Sequence, residues 1–224
     1  MKILVVCDIH GNAKNLTKLV ETFKEKIDAI VCPGDFTDLF ADTTDFDQLD
    51  ITETETQKLL SLNKHLFCVP GNNDPYDVLE IFEYYQTNVH KKIKKLNNLL
   101  ITGFGGAQTP FNTSYEPTEE EIKEGLGKIE PQLKGDFVFV THNPPKDTKL
   151  DKLESGEHVG SKLFRDFILK HKPLLAISAH IFEAKGEDKL GDTTLFYPGA
   201  LTDGFYGIVD IEGKKVKCEI KKLV

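Results

Sequence analysis

The sequence predicts an α/β fold in which two sheets pack against each other and helices cover their outer surfaces. Three observations predict it. Over the first 75 residues, short continuous apolar runs alternate with segments of helical spacing. The early runs end in turn signals such as Pro33-Gly34 and Pro70-Gly71. The second half is then richer in runs of strand length. Strand–helix–strand order with buried strands indicates right-handed βαβ units and parallel pairing. A chain of 224 residues can bury a full core, and one domain over 1–224 is expected rather than two small ones.

The elements follow in order. Residues 2–7 form a continuous apolar run, and 12–26 carry Leu16, Leu19, Val20 and Phe23 at helical spacing. Residues 29–32 are a second strand, followed by a polar, acidic stretch over 37–50. Residues 52–63 read as a helix capped by Thr52, with Glu55 completing a capping box. Residues 65–69 are a third strand, and Asp74-Pro75 opens a helix with proline in its first position. Strands are expected at 99–102, 137–141, 174–178, 194–197, 206–211 and 215–220, with helices near 118–129 and 159–171. The segment 103–116 is a loop rich in Gly, Pro, Thr and Asn. Lys91, Lys92, Lys94 and Lys95, and the alternating lysines over 214–222, read as solvated strand edges.

Composition narrows the function. The net charge of -8 repels a polyanion and argues against a nucleic-acid partner. A small anionic substrate stays open, because bound metal ions can invert the local field. The opening MKILVVCD turns polar too soon for a signal peptide or membrane span. Cys7, Cys32, Cys68 and Cys218 show no CxxC spacing and read as reduced residues, three of them in buried strands. Together these features place the chain in the cytoplasm and away from membranes.

The polar residues with chemistry sit just past the carboxyl ends of apolar runs. Asp8-Ile9-His10-Gly11-Asn12 follows the first, Gly34-Asp35-Phe36-Thr37-Asp38 the second and Gly71-Asn72-Asn73-Asp74 the third. Thr141-His142-Asn143 and Ala179-His180 follow later ones. That rim is where open α/β sheets bind ligands. Asp, His and Asn donors converging there suit Mn, Fe, Zn, Co or Ni. Asp8 and His10 are two residues apart and face one side of an extended strand end. A carboxylate such as Asp35 can bridge two metals. Singly, each of these residues is more often a cap or a satisfied surface group, and His65, His90, His158 and His171 are read that way.

In this order, D-x-H-G-N, G-D-x-x-D, G-N-x-D, a lone T-H and a late His resemble the calcineurin-like metallophosphoesterases, in particular their small prokaryotic phosphodiesterases. The resemblance runs from Asp8 to His180. It implies a four-layer αββα sandwich, two mixed sheets flanked by helices, with a two-metal site. By position, Asp8 and His10 would bind the first metal, Asp35 would bridge, and Asn72, His142 and His180 would bind the second. The resemblance leaves a homodimer open.

Two departures stand out. The family usually ends its motif set with G-H-x-H, whose last His completes the first metal site. Here the segment is Ala179-His180-Ile181-Phe182, and the Phe182 ring has no lone pair to offer. The first site is therefore expected to be weaker. Some members carry a His where this chain has Asn73. Asn donates a hydrogen bond but is no general acid, which argues against difficult leaving groups.

The resulting expectation is a metal-dependent phosphoester hydrolase, more a phosphodiesterase than a monoesterase, acting on a small phosphorylated compound through a metal-bound hydroxide. Asn73 and Asn12 are its candidate catalytic residues, although Asn12 stands where it would cap the first long helix. Asp38 and Asp74 read as loop braces. Loops 36–51 and 103–117 would shape the pocket. The competing expectation, kept open by Phe182, is a catalytically weak or inactive member of the same fold that binds a protein partner.

Overall fold

The computed structural model describes residues 1–38 and 44–223. Residues 39–43, part of the loop expected to border the pocket, lie outside the described residues.

Two mixed sheets form the centre. One has five strands: β1 (Lys2–Val5), β2 (Ala29–Cys32), β3 (Leu66–Cys68), β10 (Phe205–Glu212) and β11 (Lys215–Lys222), in the spatial order β11-β10-β1-β2-β3. The other has six: β4 (Ile93–Leu96), β5 (Leu99–Phe104), β6 (Phe137–Thr141), β7 (Leu175–Ile177), β8 (Gly186–Leu190) and β9 (Thr193–Tyr197), in the order β4-β5-β6-β7-β9-β8. In the first, β1, β2 and β3 run parallel and β10 and β11 join antiparallel; in the second, β5, β6, β7 and β9 run parallel and the outer strands β4 and β8 are antiparallel.

The unbroken apolar runs have a simple cause: both faces of the central strands are covered. With side chains alternating at period two, Ile3 and Val5 point between the sheets while Leu4 points outward. Val138 and Val140 do the same opposite Phe137 and Phe139. The inter-sheet layer joins Ile3, Val31 and Val69 to Ile101, Val140 and Ile177. Outside the first sheet lie α1 (Ala13–Thr22), α2 (Asp45–Leu62) and α3 (Val78–Tyr84), through Leu16, Leu19, Leu59, Val78 and Phe82. Outside the second lie α4 (Glu119–Ile129) and α5 (Lys162–His171), through Ile122, Leu126, Phe164 and Phe167. This is the four-layer αββα arrangement expected from the sequence.

Two helix starts differ from expectation. Helix α2 begins at Asp45 rather than at Thr52: Thr44 caps it, and Asp47 reciprocates in a capping box. Thr52 is buried inside the helix, with its hydroxyl donating to Gln48 O at 2.9 Å. Phe46 and Leu49 stand three apart in the first turns, but Asp45, Asp47 and Asp50 between and beside them make this stretch read as a polar, acidic loop. Helix α3 begins at Val78, not at Asp74-Pro75. The Asp74 carboxylate is instead spent on neighbouring loop amides. Strands β4 and β8 are the outer strands of their sheet. Lys94 and Lys95 lie on β4, in keeping with a solvated edge. No helix among the described residues is long and apolar enough to cross a membrane.

Candidate metal centre

The parallel strands of both sheets end at one rim, and the predicted residues stand there. Asp8 and His10 follow β1, Asp35 follows β2, Asn72 follows β3, His142 follows β6 and His180 follows β7. All but the half-buried His180 are buried. Four of the six adopt the left-handed backbone: Asp8 (φ 50°), His10 (φ 47°), Asp35 (φ 56°) and His180 (φ 78°). Non-glycine residues rarely hold this conformation, and clustered strain of this kind marks functional sites. It is maintained by a zip between two loops. The Asp8 amide donates to Gly34 O at 3.1 Å, those of Ile9 and His10 to Asp35 O at 2.8 and 3.0 Å, and that of Gly11 to Phe36 O at 2.8 Å.

Asp74 ties the next loop in. Its buried carboxylate accepts from the amides of Asp35, Phe36, Thr37 and Gly71 and from the Thr37 hydroxyl, at 2.7–3.0 Å. Asp74 is thus the brace the sequence suggested. Asp38 exchanges main-chain hydrogen bonds with the Gln48 amide at 2.9 Å.

Ligand atoms of Asp8, His10 and Asp35 all lie within 4.8 Å of one another, and so do those of Asp35, His142 and His180. Asp35 is common to both groups. The donor chemistry fits a cation at each. His142 Nδ1 is 2.8 Å from Pro33 O, which can only accept, so Nδ1 carries a proton. On the neutral ring the Nε2 lone pair then faces Asn72 Oδ1 at 2.9 Å and Asp35 Oδ2 at 3.4 Å. Three acceptors converge, and only a proton or metal cation between them relieves the repulsion. His10 repeats the pattern. Its Nδ1 lies 3.2 Å from Thr37 O, while its buried Nε2 has no hydrogen-bond partner among the described residues and sits 3.4 Å from Asp35 Oδ2.

The titration behaviour has the same cause. Burial pushes the Asp35 carboxyl up, but His142, with His10 and His180 behind it, holds it well below the usual range. Burial pulls the His142 imidazole down, yet Asp35, Asp8 and the Pro33 carbonyl raise it to about 9. Asp8 is pushed up to about 6 by burial, with the Asp35 charge adding to it. In the absence of metal, a proton on His142 supplies the positive charge the carboxylates require.

The two candidate catalytic asparagines are placed differently. Asn73 clamps the shared carboxylate: its amide N–H donates to Asp35 Oδ1 at 3.0 Å and its side-chain Nδ2 to Oδ2 at 2.9 Å. Asn12 caps α1, its Oδ1 accepting from the Asn15 amide at 3.0 Å. Phe182 does stand at the first group, with its ring centroid 5.7 Å from that of His10.

Sequence reasoning missed Tyr197. Its buried hydroxyl, at the end of β9, donates to Asp8 Oδ2 at 2.8 Å. The signal was present: Tyr197-Pro198-Gly199 repeats the strand-end Pro-Gly seen after β2 and near β3. His90 is not a surface group either. Buried behind the 103–116 loop, it accepts from the Gly105 amide through Nδ1 at 2.8 Å and meets the Tyr115 hydroxyl through Nε2 at 2.9 Å.

Known proteins share this frame. The Thermus thermophilus protein TT1561 superposes with a TM-score of 0.75 at 20% identity, over 100% of this chain and 99% of that one. Phosphopantetheinyl hydrolase (PptH) from Mycobacterium tuberculosis gives 0.63 at 14% identity, over 90% of each chain. In sequence, the chain is 35% identical over 205 residues, 88% of each chain, to the uncharacterized protein MJ1162 of Methanocaldococcus jannaschii. The family model described as Calcineurin-like phosphoesterase matches residues 1–183. On that match, and with its strand-end motifs assembled at one rim of an αββα sandwich, the chain belongs to the calcineurin-like phosphoesterase family.

Proposed function

We propose that this protein is a metal-dependent phosphoester hydrolase acting on a small phosphorylated compound, with diesters preferred to monoesters. The observation that carries the reading is that Asp35 belongs to two groups of converging ligand atoms, with Asp8 and His10 on one side and His142 and His180 on the other, each group lying within 4.8 Å. Asp8 and His10 would hold one divalent ion (Mn, Fe, Ni, Co or Zn), Asn72, His142 and His180 a second, with Asp35 serving both. The first site is one protein ligand short at Phe182. Bound there, such ions supply Lewis acidity toward phosphoryl oxygens and lower the pKa of a water toward about 7.

The chain's own residues supply orientation. Pro33 O fixes the His142 ring so that Nε2 faces the centre. Tyr197 holds one oxygen of Asp8, and Asn73 holds both oxygens of Asp35. In the hydrolysis, a water oxygen bonds to phosphorus and the water's proton passes to solvent, while the ester P–O bond breaks with its electron pair going to the leaving oxygen, which departs as an anion. Asn73 cannot protonate that oxygen, so substrates whose leaving group departs as a stable anion are favoured.

A protein-binding scaffold is the second reading, and Phe182 is the observation that favours it. Cleavage of an aryl phosphodiester and an aryl phosphomonoester, with and without added Mn, separates the two. The enzyme reading expects Mn-stimulated hydrolysis, faster for the diester. No hydrolysis with any divalent ion sinks it.

A further inference from the structure

The amide of Asn72 is useful to a cation only with its oxygen turned inward. Asn has two nearly isosteric ends, and packing alone does not choose between them. We propose that Thr113 and Glu116 are positioning residues that lock Asn72 with Oδ1 toward the metal centre through a chain of directed hydrogen bonds. This rests on the metal reading above.

The chain starts at Glu116. Its Oε1 accepts from the Thr109 hydroxyl at 2.6 Å, the Thr113 amide at 2.7 Å and the Thr113 hydroxyl at 2.7 Å. Burial pushes this carboxyl up, but the Thr109 and Thr113 hydrogen bonds outweigh it and hold the group at about 2. At working pH it is a carboxylate and only accepts. The single Thr113 proton is therefore committed to Glu116, and the Thr113 oxygen presents only lone pairs to its other neighbour. That neighbour is the Asn72 side chain at 3.1 Å. Facing a hydroxyl with no proton to give, the amide must turn its Nδ2 toward Thr113. Its oxygen then faces His142 Nε2 at 2.9 Å.

The flipped amide would lose the Thr113 bond and set N–H groups where a cation is to sit. The backbone keeps the two partners in register, because the Tyr115 amide donates to Asn72 O at 2.8 Å. Tyr115 is itself anchored on His90 at 2.9 Å. The loop 103–116 thus orients a ligand from outside the strand-end motifs.

Calorimetric titration of the metal-free protein with Mn tests this. Thr113→Val is expected to weaken the tighter site about 10- to 100-fold, the range for removing a group that orients a ligand. Thr113→Ser keeps the hydroxyl and is expected to stay within about threefold of the parent. In an Asn72→Asp background both ends of the side chain are oxygens and nothing remains to orient. There Thr113→Val is expected to change affinity by less than about threefold, whereas a merely structural role costs the same in both backgrounds. Melting of each metal-free variant checks that it folds. Unchanged affinity in Thr113→Val, equal losses in both backgrounds, or a Thr113→Ser as weak as Thr113→Val would each overturn the proposal. If the parent protein takes up no metal at all, the metal reading fails and this proposal falls with it. Uptake by the parent together with any of the other results sinks the orientation chain alone.

Discussion

A Cβ placed on Gly71 would lie 1.9 Å from Oδ1 of Asp35, so the turn after β3 rests directly on the carboxylate that follows β2. The same Cβ would meet the Asp35 amide nitrogen at 2.3 Å. The amide contact is with backbone and cannot relax by swinging a side chain, and the carboxylate is held at both oxygens by Asn73. Gly71→Ala is expected to cost about 1–3 kcal/mol in urea unfolding, as overpacked interiors do. It should also displace Asp35 and reduce metal retention. Parent-like stability and parent-like retention together would show that the two loops are not in this contact.

Asp74 holds those loops from the other side. Its oxygens take four main-chain amides and one hydroxyl, all donors. An asparagine in its place would set side-chain N–H groups against amides that can only donate. The Asp74→Asn substitution is expected to lower stability by about 3 kcal/mol or more, the range for breaking a buried charged hydrogen-bond set. Denaturant melts of the metal-free protein measure it, and a loss under about 1 kcal/mol contradicts the role.

Phe182 sits beside His10, where the family motif ends in a His. Phe182→His adds an imidazole to the group formed by Asp8, His10 and Asp35. Occupancy of the weaker site, read as Mn equivalents retained after desalting, is expected to rise, and the hydrolysis rate with it. Unchanged occupancy means that something other than Phe182 limits that site.

Glu55 gives a prediction with a defined pH sign. It is buried on α2, and neither carboxyl oxygen has a hydrogen-bond partner among the described residues. Burial, with the Asp74 charge adding, raises this carboxyl well above its ordinary value. The Gly11 amide nearby helps it little, being committed to Phe36 O. A raised carboxyl costs nothing below its unfolded value of about 4.3 and costs progressively more as pH rises toward its folded value. Glu55→Gln should therefore be more stable than the parent at pH 7.5, with the difference fading toward pH 4. A constant difference across that range would mean that Glu55 does not titrate in this way.

The strand ends were legible in the sequence because buried parallel strands read as unbroken apolar runs, and polar residues just after such runs stand out. Asp8, His10, Asp35, Asn72, His142 and His180 all stand in such places. Helix α2 was read short because Asp45, Asp47 and Asp50 in its opening turns made them look like an acidic loop, although Phe46 and Leu49 stand there at helical spacing. Strand β8 escaped because Glu187, Asp188 and Lys189 line most of its length. Tyr197 showed only as a strand end before Pro198-Gly199, and Thr113 and Glu116 did not show at all, for another reason. Each acts through a tertiary contact with a distant residue, Asp8 or Asn72, that no local spacing encodes. Asn73 shows the same limit: its motif position was plain, but its attachment to both oxygens of Asp35 appears only in three dimensions.

Asp35 stands between His10 and His142 with ligand atoms close enough for each group to hold a divalent ion. Metal analysis after loading with Mn and exhaustive desalting tests it most directly, with Asp35→Asn run in parallel. At least one equivalent is expected to stay with the parent, less than two where Phe182 weakens the first site, and little or none with Asp35→Asn. A parent protein that retains no Mn, Fe, Co, Ni or Zn would contradict it.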